Sequence, residues 1–462
     1  MMGQLAADQN ALFYDFNLEQ RIPDNHLLRK IDQFLDFDQI RSHLHSFYSH
    51  TGRPSVDPEL MIRMLLIGYC YGIRSERRLC EEIDFNLAYR WFCRLGLEDE
   101  IPNHSTFSKN RHGRYRDSDI FRFVFETVVQ RCIDEHLVKG EGFAVDGSLI
   151  EADVSRKNTV SRNTLIDWGP AKQQSRPVKE YLESLDNALT KTTRASTSLT
   201  DPEARWISFR GKAQFAYSSN YMLDIQSGVI VDVEASPGNR TDEVACTQSM
   251  LDRIEDTYHL KPKRLMGDTA YGTGEMLEWL VKEKQIEPHV SVWDKSIRKD
   301  GSFSVSDFIW NEEENYYRCP AGKRLQRFRR AFKTPRTGIT KGTTINYSAS
   351  KYDCDICEYK HQCCPNTDTR RIKRSIYEAS RDIARGINQT DQYKKQSSAE
   401  RKKVEMAFAH MKRNLNFHRL RLRGIKSAND ECILVATVQN LRKLARYRSQ
   451  PPPEQRISVP GI

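Results

Sequence analysis

Three carboxylates and two cations in this 462-residue chain have the types and spacing for phosphodiester chemistry. In AERKKVEMAFAHMKRNL, residues 399–415, Arg401, Glu405 and Lys412 recur at helical spacing and share one face. Val404, Phe408, Met411 and Leu415 form an apolar stripe beside them, which anchors the helix and presents one carboxylate between two cations. Far upstream, Asp146 and Asp268 each end a short apolar run, in FAVDGS and RLMGDTAYG. Two strand ends and a helix that bring three carboxylates together can hold two magnesium ions against a phosphodiester. The pattern therefore points to DNA strand chemistry.

The elements that must position these residues follow from periodicity. Residues 1–138 read as a helical domain. Asp57 caps a helix with Pro58 in its first turn, which runs through LMIRMLLIGYCY to Gly72. Ser75 opens the next helix, whose Leu79, Ile83 and Leu87 make a core face. After Pro102, Ser105 or Thr106 caps a basic segment carrying Lys109, Arg111, Arg114 and Arg116. That order matches a helix-turn-helix array, with Lys109, Arg111 and Arg114 as candidate DNA contacts.

From about Glu141 the period changes to two. FAVDGSLIEA reads as a strand, and residues 155–205 as an insertion or mobile loop with a weak helix near 177–190. KAQFAYSSNYMLDI and GVIVDVEASP form a hairpin about Gln226-Ser227-Gly228. A helix at 242–257, the strand ending at Asp268, a helix at 273–284 and the strand IEPHVSV follow. The order is that of a ribonuclease-H-like α/β core, a mixed sheet with helices on both faces. The expected division is a helical DNA-binding domain at 1–138, the first part of the core at 139–295, a cysteine-rich insertion at 296–370, the second part of the core with the Glu405 helix at 371–448, and a disordered proline-rich tail at 449–462. CILVATVQNLRKLARY is expected to be a final amphipathic helix.

Lys and Arg total 72 against 62 acidic residues, a net charge of +10 that suits polyanionic partners. The longest apolar stretch is too short to span a bilayer, so no membrane partner is expected. Eleven cysteines, an odd number with no secretion signal, indicate a reducing compartment, and the chain reads as soluble and cytoplasmic, acting on chromosomal DNA. Five of them lie between 319 and 364. Cys319, Cys354, Cys357 and Cys363 have the knuckle spacing of a structural zinc site, against the alternative that these thiols are reduced and buried. Asp153, Asp224, Asp232 and Glu151 are the nearest rivals for the catalytic role and are expected to be solvated.

With these motifs in order, the chain resembles the DDE transposases of bacterial insertion sequences, in the branch with a cysteine-rich insertion before the last catalytic residue. The resemblance is nearly end to end. It rests on GRPSVDPELMIRMLLIGYCYGIRSERRLCEEIDFNLAYRWF and HSTFSKNR, on VDGSLIEA and GDTAYG, and on Arg401, Glu405 and Lys412 at the family's spacing. One departure is Ser398, where related enzymes often carry a tyrosine three residues before the arginine. The resemblance implies Asp146, Asp268 and Glu405 as ligands of two Mg2+ ions, with Mn2+ able to substitute. It also implies cleavage at terminal inverted repeats, strand transfer into target DNA, and phosphate contacts from Arg401 and Lys412. The partners would be double-stranded DNA, both element ends and target, and a second copy of the chain in a homodimeric or larger synaptic complex. Two other classes compete: a catalytically retired transposase acting as a sequence-specific DNA-binding regulator, and a zinc-stabilised nucleic-acid interaction protein.

Overall fold

The computed structural model describes residues 16–49, 51–52, 55–184, 189–191, 196–209, 211–292, 301–328 and 337–448. The proline-rich tail expected to be disordered lies outside them. The described chain is mixed α/β, with a helical N-terminal region followed by a mixed sheet.

Local sequence sets the elements. The helix α1, Pro58–Cys70, is capped by Asp57, which accepts the Glu59 N–H, and Pro58 opens it. The helix α2, Glu76–Phe85, is capped by Ser75 and buries Leu79 and Ile83. Asn86 ends it in an extended conformation, so Leu87 starts a separate short helix instead of continuing the core face. The basic helix α3, Ser105–Arg111, is entered differently from expectation: Asn103 Oδ1, two residues before the helix, accepts the Ser105 N–H. The helix α4 is Ile120–Asp134. The strand β1, Gly142–Glu151, covers all of the expected first strand but its last residue, Ala152. Then come α5 (Arg176–Glu183), β2 (Arg205–Phe209), β3 (Lys212–Asp224), β4 (Ile230–Pro237) and α6 (Arg240–Tyr258). They are followed by β5 (Arg264–Gly267), α7 (Gly274–Glu278) with a π-helical turn over Trp279–Lys284, and β6 (Glu287–Val290). The short strands β7 (Ile309–Asn311), β8 (Tyr316–Arg318), β9 (Arg324–Gln326), β10 (Thr344–Ser348) and β11 (Arg371–Ser375) precede α8 (Glu378–Gln389), α9 (Asp391–Asn414) and α10 (Ile425–Tyr447).

The chain divides into two compact units. The first takes residues 1–140, 147–260 and 403–462. In it β3 pairs antiparallel with β2 and with β4, and Gly228 at φ +66° makes the hairpin turn. Its centre is α10, which is buried almost all round, not amphipathic as expected. The residues that read as a polar face are internal. Asn440 is one: it accepts the Ile230 N–H at 2.9 Å and donates to the Ile230 carbonyl at 2.7 Å. A buried amide that meets both backbone groups carries no desolvation penalty. The 155–205 stretch is also more ordered than expected. Ile166, Trp168, Val178 and Leu182 make a small core beneath α5, beside two short ladders, 159–161 with 196–198 and 165–167 with 189–191.

The second unit takes residues 141–146 and 261–402. The start of β1, β5 and β6 form parallel ladders, with β5 in the middle. The β5–α7–β6 stretch is the strand-helix-strand unit expected from the sequence. Strands β7 to β11 form a separate antiparallel sheet, in chain order. Its core holds Phe308, Tyr317, Leu325, Tyr347 and Ile372 together with Cys354, Cys363 and Cys364. Among the described residues no helix is long and apolar enough to cross a membrane.

Candidate active site

Asp146 lies on β1 and Asp268 just past the end of β5, two strands that pair in parallel. In the β1–β5 ladder Phe143 pairs with Leu265 and Ala144 with Met266. The paired register ends at Ala144 and Met266, two residues before each aspartate. The apolar runs explain the placement. Phe143, Ala144, Val145, Leu265 and Met266 are buried, while Asp146 is half-buried and Asp268 exposed.

The two aspartates have different local roles. Asp268 follows the end of β5 and caps the turn Thr269–Tyr271, accepting the Ala270 N–H at 2.6 Å. Asp146 does not end its strand, as the sequence suggested, because β1 continues to Glu151. The following Gly147 is needed for close packing: a Cβ there would stand 3.0 Å from Asn220 Oδ1 and Ser218 Oγ.

Glu405 lies on α9, in the half of the helix that belongs to the first unit. The apolar stripe is as expected: Val404, Met411 and Leu415 are buried, and Phe408 packs edge-on against Tyr221. Glu405 itself is exposed, although the apolar stripe beside it suggests a partly buried carboxylate. One helical residue past Val404, it is turned about 100° away from the packed face. Lys412 donates to the Leu149 carbonyl at 3.3 Å, and Arg401 donates to the Tyr393 hydroxyl at 2.9 Å. Tyr393 was missed by the sequence reading, which looked for a tyrosine only at position 398. The signal was a tyrosine two helical turns before Arg401 on the same helix. Among the described residues no three His, Cys, Asp or Glu side chains form a group that could hold a metal ion.

Two of the rival carboxylates, Asp224 and Asp232, are buried and structural, which corrects the expectation that they are solvated; Asp153 and Glu151 are half-buried. Asp224 is fully buried and accepts the N–H groups of Lys139, Gly140 and Ser227. Asp232 is buried between Arg122 and Arg253. Asp153 is paired with Arg419 and Arg423, and Glu151 stands 3.9 Å from Arg419.

The candidate DNA contacts separate into different environments. Lys109 is exposed. Arg114 is half-buried, with its guanidinium 4.4 Å from the centre of the Tyr48 ring. Arg111 is only 6% exposed and is ion-paired with Glu76 at the start of α2, so it does not stand on an open surface as the sequence reading supposed.

The cysteines Cys319, Cys354, Cys357 and Cys363 do converge, with Cys364, on one cavity of about 20 Å³. All are free thiols. Burial pushes Cys363 up to about 12 and raises Cys364 as well, so these thiols stay protonated unless something replaces the proton.

Two family models match the chain. Residues 16–113 match a transposase domain (DUF772), and residues 318–445 match a transposase DDE domain. The two matches support a DDE transposase of an insertion element. The second match contains the five clustered cysteines, Arg401, Glu405 and Lys412. For this transposase the family implies a ribonuclease-H-like fold, DNA binding and a general use of divalent metal ions.

Proposed function

We propose that the transposase is catalytically active: it cuts DNA at the terminal inverted repeats of its element and transfers the 3′ end into target DNA. Asp146, Asp268 and Glu405 would hold two Mg2+ ions, for which Mn2+ can substitute. The observation that supports this reading is the parallel pairing of β1 with β5, since β1 carries Asp146 and Asp268 directly follows β5. Their oxygen donors suit a hard cation that keeps further positions for phosphate and water. When bound, such ions activate the attacking oxygen and stabilise the leaving one.

The chain's own groups do the rest. Asp268, fixed by its bond to Ala270, offers an oriented carboxylate. Arg401, steadied by Tyr393, and Lys412, close to the Leu149 carbonyl, supply cations for phosphates beside the scissile bond. Exposure of Glu405 leaves it free of any structural duty and open to a substrate. Lys109 and Arg114 would contact DNA outside the catalytic centre, and pairing of element ends implies a homodimer or larger complex. The cysteine cavity supports a second proposal, a structural zinc ion held by Cys319, Cys354, Cys357 and Cys363. Thiols and cavity size suit it, although a ready group of three ligands is absent among the described residues.

The test is strand cleavage of the element's own flanking DNA, with Mg2+ or with EDTA, by the native chain and by Glu405→Gln. Defined nicks at the repeat ends that need Mg2+ and vanish in the variant support the proposal. Specific binding without cleavage, equal in both proteins, would move the assignment to the regulatory reading.

A further inference from the structure

The first unit holds a polar cavity that the catalytic residues do not explain. It measures about 290 Å³ and is lined from four stretches: the second half of α1, the residues around the start of α2, the end of α3, and the segment leading into α10 with the first turns of that helix. Two of its cations are buried. The Arg74 side chain is 4% exposed and pairs with Glu431; that of Arg111 is 6% exposed and pairs with Glu76. Each guanidinium nevertheless keeps a buried nitrogen with no partner, Nη1 of Arg74 and Nε of Arg111. Arg421, exposed, is the third arginine lining the cavity.

Glu431 cannot meet this demand. It is already saturated, since its Oε1 accepts the N–H groups of Arg421 and Leu422 while Oε2 meets Arg74. Three guanidinium groups stand against two carboxylates, leaving one positive charge in the lining. Arg74 is also held in place, with its guanidinium about 5 Å from the ring centres of Tyr69 and Phe417. A guanidinium has donors and no acceptor, so only an acceptor-rich group completes it. An unmade hydrogen bond from such a buried group costs about 1–3 kcal/mol or more. Oxyanions of phosphorus match forked guanidinium donors and fit this volume.

We propose that this cavity binds a phosphate group, between Arg74, Arg111 and Arg421. Phosphate binding rests on the cavity alone; DNA as the source of that phosphate rests on the function proposed above.

The experiment titrates inorganic phosphate into the full chain at constant ionic strength, with chloride as the balancing salt, and follows heat and thermal unfolding. Saturable binding that raises Tm is expected. Arg421→Ala should weaken it about tenfold, the loss of one charge-assisted hydrogen bond. Glu76→Gln, which frees Arg111 from its carboxylate, should tighten it several-fold, an effect that a merely destabilised fold does not produce. No difference between phosphate and chloride, or phosphate affinity unchanged in both variants, overturns the proposal. Duplexes with 5′-phosphate or 5′-hydroxyl ends then compete against phosphate. Displacement only by the phosphorylated duplex assigns a DNA end, and equal displacement by both assigns the backbone. Displacement by neither upholds the site for free phosphate alone, without bearing on strand cleavage.

Discussion

Asp268 is where a local structural role and a chemical role can be separated by substitution. Its carboxylate accepts the Ala270 N–H at 2.6 Å and so caps the turn that follows β5. Loss of such a cap costs about 1 kcal/mol, and asparagine caps as well as aspartate. For a unit of roughly 150 residues that energy corresponds to about 2–4 °C in Tm. Asp268→Asn should therefore unfold within about 1 °C of the native chain, while Asp268→Ala should lose those 2–4 °C. Cleavage should behave differently. Removing groups that only orient a metal's ligands already costs about 10–100-fold, so an amide in place of a ligand should cost at least about 100-fold in either variant. The assays are thermal unfolding and Mg2+-dependent nicking of end-containing DNA. An Asp268→Asn chain that cleaves within about threefold of native, about 0.65 kcal/mol, would show that Asp268 is only a turn residue. Equal destabilisation by Asn and Ala would refute the capping role.

Three other outcomes follow from the geometry. Burial pushes Asp430 up to about 6 against the pull of Arg111, Arg116 and Arg176, so the folded chain holds its proton more tightly than the unfolded one. The stability this lends is full below about pH 4 and lost as pH rises to about 6, at most about 3 kcal/mol; Asp430→Asn should flatten that slope in denaturation measured across the window. Lys109→Ala should weaken DNA binding and lower the salt slope by about one, whereas Arg111→Ala should cost about 1–3 kcal/mol of stability by stranding the partly buried Glu76. Unchanged salt dependence for Lys109→Ala would remove it from the DNA surface. The purified chain should carry zinc in a one-to-one ratio by elemental analysis and lose it in Cys354→Ser/Cys357→Ser; a stable, zinc-free chain would assign the thiols to the core of the β7–β11 sheet.

Much of the architecture was legible because short-range physics wrote it. Alternation marked β3 and β4, Asp57 and Pro58 marked the start of α1, and the stripe Val404, Met411, Leu415 marked the buried side of α9. Of the candidate site, the sequence showed that Asp146 and Asp268 follow apolar runs, but not that Ala144 would pair with Met266. Register is a property of two strands distant in the chain, and one slipped residue would put one aspartate on the opposite face of the sheet.

Four of the departures share one physical origin. Asp224 and Asp232 were read as solvated, Arg111 as a DNA contact, and Asn440 stood on a helix read as amphipathic; all four are buried with partners far away in sequence. Arg111 meets Glu76 from 35 residues earlier, and Asn440 meets Ile230 from 210 residues earlier. A polar residue can be internal when a distant backbone or counter-charge completes it, and local pattern contains no record of that partner. The same reasoning separates the two kinds of charge in this transposase. Asp224 and Asp232 are completed within the fold and have no capacity left for a substrate. Glu405 and Lys109 stand exposed, and the cavity arginines keep unmet donors, so it is these groups that a substrate or ligand can still engage.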